Sequence, residues 1–142
     1  MLYWLAFVAV LIVGVAGYLA HQARQKAKAR SAGRRQLELA IAKLTLELRH
    51  NPKNAALFCK RGTVRQRSGD LAGAMADFER GLFLDPNLAE AHYHHGMALE
   101  QKGDLAGAEK EFHWIVDAGN DAYYGTAAKE RLDQMRGKKK SG

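Results

Sequence analysis

Four histidines are the first residues whose spacing suggests chemistry. His92, His94 and His95 stand close together in "AHYHHG", and His113 follows. His92 and His95 are three residues apart, so on a helix they share a face, the spacing a pair of metal ligands would need. Neither an HExxH pattern nor a cysteine pair supports a metal centre, so packing or surface histidines are the favoured reading. Cys59 is the single cysteine, which excludes an intramolecular disulfide and a multi-cysteine metal site. A reactive thiol needs a positive field beside it, and Lys60 and Arg61, though adjacent in sequence, project elsewhere on a helix. No Ser-His-Asp order, glycine-rich phosphate loop or carboxylate pair is present. The chain is therefore read as non-enzymatic, with no cofactor, no metal and no small-molecule substrate.

Charge is the next signal. The net charge is +7, which on its face suggests nucleic acid. Its distribution argues otherwise. Residues 1–20 carry no charged side chain, and residues 21–35 carry Arg24, Lys26, Lys28, Arg30, Arg34 and Arg35 with no acid. Residues 36–136 hold 13 Lys and Arg against all 15 acids, and Lys138, Lys139 and Lys140 follow. Basicity beside an apolar segment favours a membrane surface over a nucleic-acid groove.

The apolar segment, "LYWLAFVAVLIVGVAGYLA" at residues 2–20, would make a helix of about 28 Å, close to a bilayer core of roughly 30 Å. Tyr3 and Trp4 at one end and Tyr18 at the other suit the two interfaces. A cleaved signal peptide would need a basic region before a shorter apolar core. Here the basic residues follow, so the expectation is an uncleaved single span. The six basic residues would then lie on lipid and place the rest of the chain in the cytoplasm. Small residues Ala6, Ala9, Ala16, Gly17 and Ala20 fall near one face and offer a packing stripe for another span. Gly33 is expected to kink or end the helix leaving the membrane.

The largest part of the chain repeats. "GDLAGA" occurs at residues 69–74 and again at 103–108, 34 residues on. Residues 55–88 align with 89–122 over their whole length. Gly62 and Gly96, Ala74 and Ala108, and Phe78 and Phe112 coincide, and Pro86 closes the first copy. A 34-residue period with these residue types resembles the tetratricopeptide repeat, a pair of antiparallel helices. The resemblance covers about residues 36–136. It implies a close approach of the paired helices at Gly62 and Gly96, and it makes GDLAGA the turn between them. Gly69 and Gly103 would end the first helix, and Asp70 and Asp104 would cap the second. In that register His92 and His95 stand at packing positions.

The same ruler runs backwards from Pro86 to Pro52, from Ala74 to Ala40 and from Phe78 to Leu44. Leu37, Ile41, Leu44 and Leu48 lie at helical spacing, as the second helix of an earlier, incomplete repeat. Forward of the second copy the pattern departs, and "DAYYGTAAKERLDQM" reads as a lone capping helix. Tyr124, Ala128, Leu132 and Met135 form its inner face, with Lys129, Glu130 and Asp133 outside. The expected fold is all-α. It has a membrane helix (1–20), a basic segment (21–35) and a repeat domain (36–136), then a disordered basic tail (137–142). The repeat domain comprises a half repeat (36–52), repeats at 55–88 and 89–120 and a cap (121–136).

The resemblance also implies where a partner would sit, since ligands of this family, usually peptides, lie along the first helices of successive pairs. The matching positions are Cys59, Thr63, Gln66 and Arg67 in one copy and Glu90, Tyr93, Met97, Glu100 and Gln101 in the next. Tyr93 and Met97 would supply apolar contact, while Arg67 and nearby Arg65 would hold an acidic group. Three functions fit these expectations. The first is a membrane-anchored scaffold binding other proteins, in assembly or regulation of a bacterial inner-membrane or envelope complex. The layout is similar to bacterial membrane-anchored repeat proteins that regulate lipopolysaccharide synthesis, whose C-terminal metal-binding domain is not matched in this sequence. The second is an accessory subunit held by its membrane helix. The third is a targeting-sequence receptor analogous to the mitochondrial import receptor.

Overall fold

The computed structural model describes residues 2–140; the side chains of residues 2, 3, 5, 6, 8–10 and 138–140 lie outside the description. Six helices make up the described chain. They are α1 (Leu2–His50), α2 (Ala55–Ser68), α3 (Leu71–Leu84), α4 (Ala89–Lys102), α5 (Leu105–Ala118) and α6 (Ala122–Lys140). Two compact units result, residues Met1–Gln36 and Leu37–Gly142.

The first unit corrects the sequence reading. Among the described residues no helix is long and apolar enough to cross a membrane. α1 has the length, at 49 residues. A span needs about 20 predominantly apolar residues, and no stretch of α1 among the described residues meets that. The expected membrane helix, the inner-membrane location and the cytoplasmic placement are overturned by this finding. Arg24, Lys26, Lys28, Arg30, Arg34 and Arg35 are exposed along α1, and the argument for their lying on lipid, which rested on an adjacent span, goes with it. The expected interface ring of Tyr3 and the small-residue positions Ala6 and Ala9 lie outside the described side chains, as do Lys138, Lys139 and Lys140. Gly33 does not end the helix: α1 continues through it. One glycine costs a helix about 1 kcal/mol, too little to break a run of Ala, Lys, Arg and Gln. At the other end, α6 extends to Lys140, past the expected end of the cap.

In the second unit the helices pair antiparallel, α2 with α3 and α4 with α5, and the turns explain the repeated hexapeptide. Gly69 and Gly103 take φ of 90° and 93°, a left-handed backbone open to glycine, and so close α2 and α4. The Asp70 and Asp104 carboxylates then accept from the backbone N–H of Gly73 and Gly107, each at 2.9 Å, capping α3 and α5. At Gly73 and Gly107 a Cβ would run into the capping carboxylate itself. The second glycine of each copy is thus the space the cap occupies.

Close approach within each pair comes from Gly62 and Gly96. A Cβ on Gly62 would lie 2.6 Å from Phe78 Cε1, and one on Gly96 would lie 2.9 Å from Phe112 Cε1. Phe78 and Phe112 are fully buried. Phe78 anchors a cluster with Cys59, Ala74, Ala91 and Ala98. Phe112 anchors a larger one with Leu99, Ala108, Ile115, Ala128, Leu132 and Met135. Met75 packs against both. α6 closes the second cluster with its inner face, while Lys129, Glu130 and Asp133 are exposed.

Candidate functional site: the α2, α4 and α6 face

The first helix of each pair, together with α6, lines one side of the second unit. Gln66 on α2 donates its amide to Gln101 Oε1 on α4 at 3.3 Å. Met97, one turn before Gln101, accepts at its sulfur from Arg131 Nε on α6 at 3.1 Å. Arg131 Nη2 lies 3.0 Å from Glu100 Oε2, and its Nη1 donates to Gln134 at 2.9 Å. Gln66, Met97, Glu100, Gln101 and Arg131 thereby enclose an open depression of about 300 Å³. Four of these five are residues the sequence placed in the groove. Arg131 is the one it missed. It follows Met97 by 34 residues, so the ruler that ran backwards to Pro52 also finds it when run one step forwards into α6.

The other expected groove residues are placed differently. Cys59 is fully buried, and burial, then the nearby Glu90 carboxylate, pushes its thiol up to about 12. At that value the thiol stays protonated near neutral pH and is a poor nucleophile. Tyr93 is half-buried in the second cluster, its ring 5.8 Å from Phe112 and 5.5 Å from Tyr124. Glu90 is half-buried at the start of α4, where its charge acts on Cys59, His94 and Tyr124. Thr63 is half-buried and its hydroxyl donates back to Cys59 O at 3.0 Å. Arg67 is exposed.

Arg65 is committed to the fold. It bonds Asp77 Oδ2 at 3.0 Å and Gly73 O at 3.3 Å. Asp77 is nearly fully buried and also receives two bonds from Arg61, at 2.9 and 2.6 Å. The same arginine reaches Thr45 on α1 at 3.2 Å. A forked guanidinium on a buried carboxylate ties α2 to α3.

The histidine cluster does similar structural work. Glu111 on α5 takes His92 Nδ1 at 2.6 Å on one oxygen and His95 Nδ1 at 3.0 Å on the other. Burial alone would raise the Glu111 carboxyl, but these two hydrogen bonds and the charge of the rings hold it at about 2. His94 points elsewhere, stacked on Phe78, and burial lowers its pKa. His113 is exposed. Among the described residues no three His, Cys, Asp or Glu side chains are grouped to hold a metal ion.

The sequence matches no family model, and no curated protein matches it. Solved structures do match. The first tetratricopeptide domain of Spaghetti (RPAP3), bound to the HSP90 peptide SRMEEVD, is 20% identical with a TM-score of 0.63, over 72% of this chain and 81% of that one. The Yersinia enterocolitica type III secretion translocator chaperone SycD is 22% identical with a TM-score of 0.68, over 74% and 75%. YrrB, described as a tetratricopeptide protein with an unusual peptide-binding site, is 23% identical with a TM-score of 0.60, over 68% of this chain and 50% of its own. The 34-residue period, the glycine–phenylalanine contacts within each helix pair and these structural neighbours converge: the chain has the tetratricopeptide-repeat fold.

Proposed function

We propose that the second unit is a protein-interaction module that receives a segment of another protein in the depression on α2, α4 and α6. The observation that carries this reading is the convergence of Gln66, Met97, Gln101 and Arg131 from three helices around an open volume of about 300 Å³. Amides and a thioether at such a surface offer hydrogen bonds and an adaptable apolar floor, the combination that recognises a polypeptide segment. Structural neighbours solved with bound peptides support a peptide-binding role. Arg131 already has Glu100 beside it, so the incoming segment is read as neutral or mixed in charge rather than as a carboxylate seeking a free cation. Arg67, exposed on α2 next to Gln66, is the residue offered to an acidic group.

A photo-crosslinking side chain at position 97 in the full chain should capture the partner. The same probe at the exposed position 113 on α5 should not. Adding Gln66→Ala and Gln101→Ala should cut capture at position 97 by about tenfold, as expected when two hydrogen bonds of about 0.5–1.5 kcal/mol each are lost. Equal capture from 97 and 113, or capture indifferent to the two amides, would overturn the proposal.

A further inference from the structure

Residues 37–50 of α1 are a second helix of the repeat. The 34-residue register superposes Ala40, Lys43, Leu44 and Glu47 on Ala74, Asp77, Phe78 and Gly81 of α3. In α3 these residues face the first helix of the same pair: Phe78 meets Gly62, and Gly81 lies against the first turn of α2. The period would place the corresponding first helix for α1 at residues 21–34, but those residues continue α1 itself. Burial records the difference. Ala74 and Phe78, like Ala108 and Phe112 in α5, are fully buried. Ala40 and Leu44 are only half-buried, and Lys43 is exposed. Leu39 and Leu46, on the other side of Lys43, are 63% and 55% exposed. The opposite face of α1 is occupied, with Leu48 buried and Thr45 accepting from Arg61 of α2. Apolar strips on both sides of a lysine make a surface that an amphipathic helix covers.

Charge specifies which helix. At the Lys43 position the other second helices carry an acid, held by two side chains one turn apart on the first helix. Arg61 and Arg65 bind Asp77, and His92 and His95 bind Glu111. Lys43 reverses the sign. Its side chain is 79% exposed, and its 3.9 Å contact with Glu47 is an exposed pair on the same helix, which holds little energy. Glu47 stands where Gly81 meets the first turn of α2, so an incoming helix would lie farther out and set its positive end on a carboxylate. The chain's own first helices do not fit. α2 and α4 are engaged by α3 and α5. α6 carries Glu130 where Gly62 and Gly96 allow close approach, and Lys129 where Arg61 stands. A second copy would therefore bring a carboxylate onto Ala40 and Leu44 and a cation onto Lys43.

We propose that this face of α1 docks a helix of another protein, which completes the repeat as α2 does for α3. That helix carries two acids one turn apart towards Lys43, a small residue against Ala40 and Leu44, and its N-terminal turn at Glu47. The face is distinct from the depression on α2, α4 and α6, and its occupancy does not require that depression to bind anything.

Two synthetic peptides test it by NMR titration against the isotope-labelled full chain. One is residues 54–69, the α2 helix with its caps; the other is the same peptide with Arg61→Glu and Arg65→Glu. The acidic peptide should shift the backbone signals of Leu39, Ala40, Lys43 and Leu44, and should bind about tenfold more tightly than the unmodified one, as expected when two charges turn from repulsion to attraction. Lys43→Glu in the full chain, a change at an exposed side chain, should reverse that preference. Equal affinity for the two peptides, no shifts on this face, or a preference unchanged by Lys43→Glu would overturn the proposal. Shifts of the same signals with protein concentration alone would also overturn it, in favour of a second copy as the occupant.

Discussion

Gly62 and Gly96 are where single residues set the geometry. A Cβ at Gly62 would meet the edge of Phe78 at 2.6 Å and the Ala74 carbonyl oxygen at 3.1 Å. The ring is fully buried and the carbonyl belongs to a helix backbone, so neither can yield cheaply. Gly62→Ala gains about 1 kcal/mol of helix propensity against an overpacking cost of about 1–3 kcal/mol. Sterics should win, with a net loss of up to about 2 kcal/mol in a urea titration. Phe78→Leu added to Gly62→Ala should cost less than the sum of the two single changes, because the leucine vacates the contested space. Strict additivity would show that the ring is not the obstacle. The residue scale also shows what buries a nominal binding residue: Cys59 and Tyr93 are turned into the two cores by the same contacts that align the helices.

At the scale of elements, the turn hexapeptide is a complete device. Its first glycine takes the left-handed backbone, its aspartate caps the next helix, and its second glycine leaves room for that cap. Gly103→Ala should therefore cost about 1–2 kcal/mol, since an L side chain pays that in the left-handed region. Asp104→Ala should cost about 1 kcal/mol through the lost cap. Denaturant midpoints would check both, and a Gly103→Ala protein as stable as the parent would contradict the backbone argument. α6 shows the other role of an element. It continues the register of α2 and α4 and so brings Arg131 to Met97. It also covers the second core with Ala128, Leu132 and Met135 while keeping a charged outer face. An array of helix pairs needs such a solvated end.

At the scale of the whole molecule, both hydrophobic cores lie within residues 37–140. A fragment of residues 37–142 should keep the cooperative thermal transition of the full chain within a few degrees, because it contains both described cores. Circular dichroism would report this, and loss of the transition would show that residues 1–36 are needed for folding. Composition misleads at this scale. A charge-free start followed by six basic residues reads as a membrane span, yet among the described residues no helix is long and apolar enough to cross a membrane. Charge blocks along a chain carry no information on whether a glycine will divide them, and α1 runs through Gly33 undivided.

What the sequence determined by itself is everything that repeats at short range: the period of 34, the helix ends at Gly69 and Gly103, the caps at Asp70 and Asp104, and the close approach of the paired helices at Gly62 and Gly96. These are local or nearly local rules, and a helical period with a turn signal encodes them. That Gln66, Met97, Glu100 and Gln101 share one face followed from the register for the same reason. Tertiary structure alone decided the rest. It spent Arg65 on Asp77, drew His92 and His95 onto Glu111, and turned Cys59 and Tyr93 inwards. It also brought Arg131 from the last helix to Met97 and Glu100. Each outcome depends on which of several possible partners lies within about 3 Å once helices pack. Spacing along the chain fixes the face a residue occupies, but not the competitor that reaches its polar atoms first.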